Sequence, residues 1–130
     1  MIGLDTNVLV RYIAQDDPVQ SKLATELIEK ECSSSRPGYI SLIVLVELVW
    51  VSETCYSASR TDIARIVMQI LRVRQLVVQE TELVWKALRQ FASSNSDFAD
   101  SLIHQLALAA GCSSVMTFDK AAAKAGMELL

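Results

Sequence analysis

Five carboxylates stand out by the company they keep. Asp5 closes the short apolar run "IGLD". Glu47 lies inside "SLIVLVELVW", with Val46 before it and Leu48 after it. Asp97 and Asp100 open "DFADSLIHQLALAAG", and Asp119 directly follows "SSVMTF". A glutamate set in so apolar a run is expected to be buried, and a buried carboxylate has to be paired or bound. Acids that share one place repel and raise each other's pKa. A hard divalent cation relieves that repulsion: Mg²⁺ and Mn²⁺ take carboxylate oxygens, and Mg²⁺ keeps several waters. An all-carboxylate site with open water positions suits phosphoryl chemistry, because a cation there can bind a phosphate oxygen and lower the pKa of a water. Zinc is a poor match. His104 is the only histidine, and Cys32, Cys55 and Cys112 are far apart with no CxxC spacing.

Alternating strands and helices are expected to position these acids. Ile2 to Asp5 reads as a strand, and "TNVLVRYIAQDD" as a helix with Val8, Leu9, Tyr12 and Ile13 on one face. Asp16 and Asp17 before Pro18 make a helix opening. "SSSRPG" is a turn cluster. Tyr39 to Val51 is too long for one strand, so a break is expected: strand Tyr39 to Ser41, then a helix to about Tyr56 with Ser41 as N-cap. "RTDIARIVMQILRV" is a helix, "QLVVQ" a strand, and "TELVWKALRQFA" a helix. The late acids open another helix, which stops at Gly111. "SSVMTF", "DKAAAKAG" and "MELL" then give strand, short helix and strand. This order predicts one α/β domain over residues 1–130: three α/β/α layers around a central, mostly parallel sheet of four to five short strands. In open sheets of this kind ligands bind outside the carboxyl ends of the strands, and chain order places all five acids at that edge.

Composition narrows the class. The chain has 130 residues, 52% of them hydrophobic and 21% charged, enough for one sizeable core. Mean hydropathy is +0.31, and the excess predicts surface meant for a partner or a second copy. No window is long and apolar enough to span a bilayer, and "MIGLDTNVLV" lacks the layout of a signal peptide, so no membrane association and a cytoplasmic site are expected. Each cysteine reads as a reduced, small core residue. The net charge of −3 gives no general attraction to nucleic acid, so any such binding must be local.

Taken together, "MIGLDTNVLVRYI", "SLIVLVELVW", "DFADSLIHQLALAAG" and "VMTFDK" resemble the PIN domain, and in particular the VapC-like toxin ribonucleases of type II toxin–antitoxin systems. The resemblance runs from Ile2 to the end of the chain. It implies a metal-dependent endoribonuclease, a homodimer, inhibited by a cognate antitoxin protein. Residue by residue, it makes Asp5, Glu47, Asp100 and Asp119 the catalytic, metal-binding acids. Thr6 and Asn7 match the positions that order the loop beside Asp5, and Thr117 matches the hydroxyl of the last motif. Where the family commonly has D-A-L-I, this chain has D-S-L-I from Asp100. Asp97 falls outside the four-acid pattern.

The expected reaction is hydrolysis of an RNA phosphodiester to 5′-phosphate and 3′-hydroxyl ends. Mg²⁺ or Mn²⁺ would sit between Asp5 and Asp100, with Asp119 and Glu47 holding waters or a second ion. The simpler readings are structural: Asp5 ends a strand, Asp97 and Asp119 cap helices, and Glu47 is exposed. His104, four residues after Asp100, shares its face and is a candidate to touch substrate or orient Asp100. Arg11, Arg60, Arg65, Arg72 and Arg74 are candidates for phosphate or partner contacts, against a default of a solvated face. Trp50 and Trp85 read as core or dimer residues. Two alternatives remain: a catalytically weak PIN-like module that binds nucleic acid or a partner, and a haloacid-dehalogenase-like phosphatase. The latter needs a nucleophilic Asp with a lysine nearby; here the start is D-T-N, and Lys120 directly follows Asp119.

Overall fold

The computed structural model describes all 130 residues, which divide into two compact units, Met1–Gln79 and Glu80–Leu130. The first unit is built on three parallel strands in the order β1 (Ile2–Gly3), β2 (Gly38–Ile40), β3 (Leu76–Val78). Ile2 pairs with Gly38 and Gly38 with Leu76. Gly38 is closely approached: a Cβ there would come 2.8 Å from Leu4 Cδ1 and 3.0 Å from Leu76 Cδ2, so those side-chain ends would have to shift. Around the strands lie α1 (Thr6–Ala14), α2 (Pro18–Glu26), α3 (Leu42–Cys55) and α4 (Arg60–Arg72). The core includes Leu9, Ile28, Ile40, Leu45, Leu48, Ile63 and Val67, all essentially closed to solvent.

The helix starts follow local chemistry. Asp17 accepts hydrogen bonds from the backbone of Val19 and Gln20, and Pro18 opens α2, as "DDP" predicts. Ser41 accepts from the backbone of Val44 and starts α3 where the strand breaks. Ser59 and Asp62 form a reciprocal capping box on α4. The segment after α2 departs from expectation, because Leu27–Glu31 winds as a π-helical turn. At the surface, Tyr56 donates to Asp16 at 2.6 Å and Arg11 to Asp16 at 3.1 Å, tying the end of α3 to the α1–α2 corner.

The second unit contains α5 (Thr81–Ala92), α6 (Phe98–Ala109), β4 (Met116–Thr117), α7 (Lys120–Lys124) and β5 (Glu128–Leu129). Strands β4 and β5 pair parallel. Phe91 on α5 meets Phe98 on α6 edge-on, with ring centroids 6.0 Å apart. Val84, Ala87, Leu88, Leu102, Ala122 and Met127 join them in the core. The buried hydroxyls of Ser96 and Ser101 hydrogen-bond to each other at 3.1 Å. Gly111, at φ +98°, follows the end of α6.

The chain is α/β with parallel strands throughout, the PIN-like class expected. All five expected strands are present, four of them shorter than read from the sequence and β2 of the expected length but one residue earlier, and their ladders divide into a three-stranded and a two-stranded sheet. No helix is long and apolar enough to cross a membrane. The cysteines are free, but only Cys32 is a core residue. Cys55 and Cys112 are exposed, because each lies where its helix or turn runs out of core to face.

Candidate active site

In the first unit Asp5 occupies the N-cap of α1, yet its side chain accepts no capping hydrogen bond. The usual structural use of an aspartate at this position is therefore absent, and the exposed carboxylate is free for other work. Thr6, buried beside it, donates its hydroxyl to Glu47 Oε1 at 3.2 Å. That bond ties the start of α1 to the second turn of α3 and leaves Glu47 Oε2 without a protein partner. Asn7 is exposed and faces a cleft of about 300 Å³ between α1 and α2. The ordering contact expected of the Thr6–Asn7 pair is thus made by Thr6.

Glu47 itself corrects an expectation. It is exposed, not buried among apolar neighbours. Ile43 and Trp50, one turn before and after it, are 74% and 64% exposed. The buried side of α3 is Leu45, Leu48, Val49 and Ser52. Apolar residues surround this helix on every side, so composition could not reveal which side faces the core. Trp50 is accordingly no core residue, whereas Trp85 is partly buried.

In the second unit Asp97 is the N-cap of α6, and its Oδ1 accepts from the Asp100 backbone at 2.7 Å. Asp119 is the N-cap of α7, and its Oδ1 accepts from Ala121 at 2.8 Å and Ala122 at 3.3 Å. Both capping readings are realised, each on one oxygen. Thr117 accepts from the Asp119 backbone at 3.0 Å and so fixes the turn that presents Asp119. Asp100 is only partly exposed. Burial, and then the like charges of Asp97 and Asp119, hold its carboxyl above the ordinary aspartate range. These three acids therefore share one neighbourhood.

His104 is placed by residues the sequence did not single out. Its Nδ1 lies 3.2 Å from Gln90 Oε1, which also accepts from Gln105 at 2.8 Å. Gln90 in turn donates to the Ala125 carbonyl at 3.4 Å. The imidazole lies where a Cβ on Gly126 would stand, 2.6 Å from Cε1, and Gly126 has φ +135°. His104 thus links α5, α6 and the turn after α7, and its hydrogen-bond partner is Gln90, not Asp100. No sequence spacing joins Gln90 to His104, so only the packing of α5 on α6 reveals the pair. Of the arginines, Arg11 is engaged by Asp16 and Arg65 by Asp62 at 2.9 Å.

The PIN domain family model matches residues 2–127, and the chain belongs to the PIN-domain family. No curated protein matches the chain. PIN domains are in general metal-dependent nucleases, so this is a nuclease-type fold of a family that typically binds divalent metals. The residues present fit such an ion by their chemistry. Neither unit alone holds a ready-made cage of three or more ligating side chains. The donors offered are carboxylate oxygens, including Asp5 with no capping bond. Burial and the like charges of Asp97 and Asp119 raise the proton affinity of Asp100, and like-charge repulsion of this kind is what a hard cation relieves.

Proposed function

We propose that this chain is one PIN domain acting as a metal-dependent endoribonuclease, the toxin of a toxin–antitoxin pair. In this reading Asp5, Glu47, Asp100 and Asp119 together hold Mg²⁺ or Mn²⁺. It works in the cytoplasm as a homodimer, and a cognate antitoxin protein silences it. The observation that carries the reading is Asp100, raised in proton affinity between Asp97 and Asp119 on a helix start. Membership of the PIN-domain family supports a nuclease. The exposed apolar residues Ile43 and Trp50 fit a surface covered by another protein.

The chain's own groups divide the work. Asp5 and Asp100 would hold the cation directly, and Glu47 and Asp119 would hold its waters or a second ion. Thr6 fixes the rotamer of Glu47 through the 3.2 Å bond, and Thr117 fixes the turn of Asp119 through the 3.0 Å bond. Asp97 orders the first turn of α6 and so sets the direction of Asp100. When bound, the cation supplies Lewis acidity, polarising the scissile phosphate and lowering the pKa of the attacking water. The products are a 5′-phosphate and a 3′-hydroxyl.

One assay tests this. Purified protein is incubated with RNA and Mn²⁺ beside Asp5→Asn and Asp100→Asn. Cleavage should fall by more than about 100-fold in each variant, beyond what loss of an outer-shell contact costs. Equal cleavage in all three samples, or none in any, refutes the metal-nuclease reading.

A further inference from the structure

The second unit contains a polar cleft that the acids do not account for. It has a volume of about 440 Å³ and is lined by Ser93, Ser94 and Asn95 from the α5–α6 loop and by Lys120 and Lys124 from α7. That volume lies in the range of small-ligand sites. Its two cations stand four residues apart on one side of a five-residue helix. Like charges at this spacing destabilise a helix, and Lys120 sits in the first turn, where the helix dipole disfavours a cation. Neither lysine takes part in an ion pair or a hydrogen bond. The other cations of the unit, Lys86 and Arg89, lie on α5 away from the cleft lining. Lys124 suits the last turn of α7, but no group of the unit offsets the charge of Lys120 or its repulsion with Lys124, which points to an anion outside the chain.

The surroundings indicate which anion. Asn95 is exposed and its amide makes no bond within the protein, so it adds neutral donors to the two ammonium groups. Asp97 lies two residues beyond Asn95, and Asp119 lies next to Lys120. An anion in the cleft is thus immediately beside two of the acids near Asp100. We propose that the cleft of Ser93–Asn95, Lys120 and Lys124 is a subsite for backbone phosphates of a single-stranded RNA. It holds the strand next to the candidate acids through charge and neutral hydrogen-bond donors, without reading the bases. The choice of RNA rests on the nuclease reading; the existence of an anion subsite does not.

The test uses the full chain in EDTA, so that nothing is cleaved, and a fluorescent single-stranded RNA followed by anisotropy at several salt concentrations. For Lys120→Gln/Lys124→Gln the affinity should fall, and the slope of log K against log salt should shrink by about 1.4, two contacts at roughly 0.7 each for single strands. Lys22→Gln/Lys30→Gln, which removes exposed lysines of the first unit, should leave the slope unchanged. If the double variant does not fold, Lys124→Gln alone should reduce the slope by about 0.7. An unchanged slope, an equal loss in the control variant, or no RNA binding by the wild type overturns the subsite. So does an oligoglutamate peptide that binds as tightly through the same lysines, since the cleft would then serve an acidic peptide. Cleavage with Mn²⁺ but no dependence on these lysines removes the subsite and keeps the nuclease. Lysine-dependent binding without cleavage does the reverse.

Discussion

Asp100 shows how one residue can oppose the fold that carries it. Its carboxyl binds a proton more tightly in the folded chain than an ordinary aspartate does, through burial and then the charges of Asp97 and Asp119. A folded pKa above the unfolded one means that the native state binds more protons across that interval. Stability therefore falls as pH rises through it, and the deficit is complete above the folded pKa. Asp100→Asn should raise the Tm of the metal-free protein at pH 7 and leave it nearly unchanged at about pH 3, below the ordinary aspartate pKa. Thermal scans at the two pH values decide the matter; an equal change at both would mean that packing, not charge, governs this position. Mn²⁺ should stabilise the wild type more than the variant.

At the scale of elements, the capping residues carry two duties. Asp97 starts α6 with a 2.7 Å bond and also adds charge beside Asp100. Asparagine keeps the first duty and drops the second, because it caps as well as aspartate, whereas alanine drops both. Asp97→Ala is expected to be less stable than Asp97→Asn by about 1 kcal/mol in denaturant titration at pH 7. Asp97→Asn should still cleave RNA, since Asp97 orders the helix instead of holding the cation; loss of cleavage in that variant would move Asp97 into the metal-binding set. Helix starts were readable because caps are local: "DDP" and Ser41 both behave as their neighbours dictate. The facing of α3 was not, since Ile43, Glu47 and Trp50 interrupt no visible stripe. Their exposure follows from which side of α3 meets α1 and α4, information held by other segments.

At the scale of the whole molecule, chain order revealed the α/β class and the five strands, and the PIN-domain match over residues 2–127 agrees with it. Strands of two or three residues carry too little alternation to show how they pair, so the division into three and two was not legible. Asp5, Asp97 and Asp119 were legible as helix-start residues because each stands at an N-cap, whereas Glu47 lies inside α3, where nothing local marks it. The residues that support them were less so. Thr6 acts across 41 positions on Glu47, and Gln90 reaches His104 from another helix. The exposure of Trp50 has a practical consequence. An indole in water one turn from Glu47, with the other indole partly shielded on α5, gives the chain a built-in optical reporter. Its emission should change when Mn²⁺ is added to the wild type and to Trp85→Phe, but not to Trp50→Phe. Silence in the first two would mean that the ion stays away from α3.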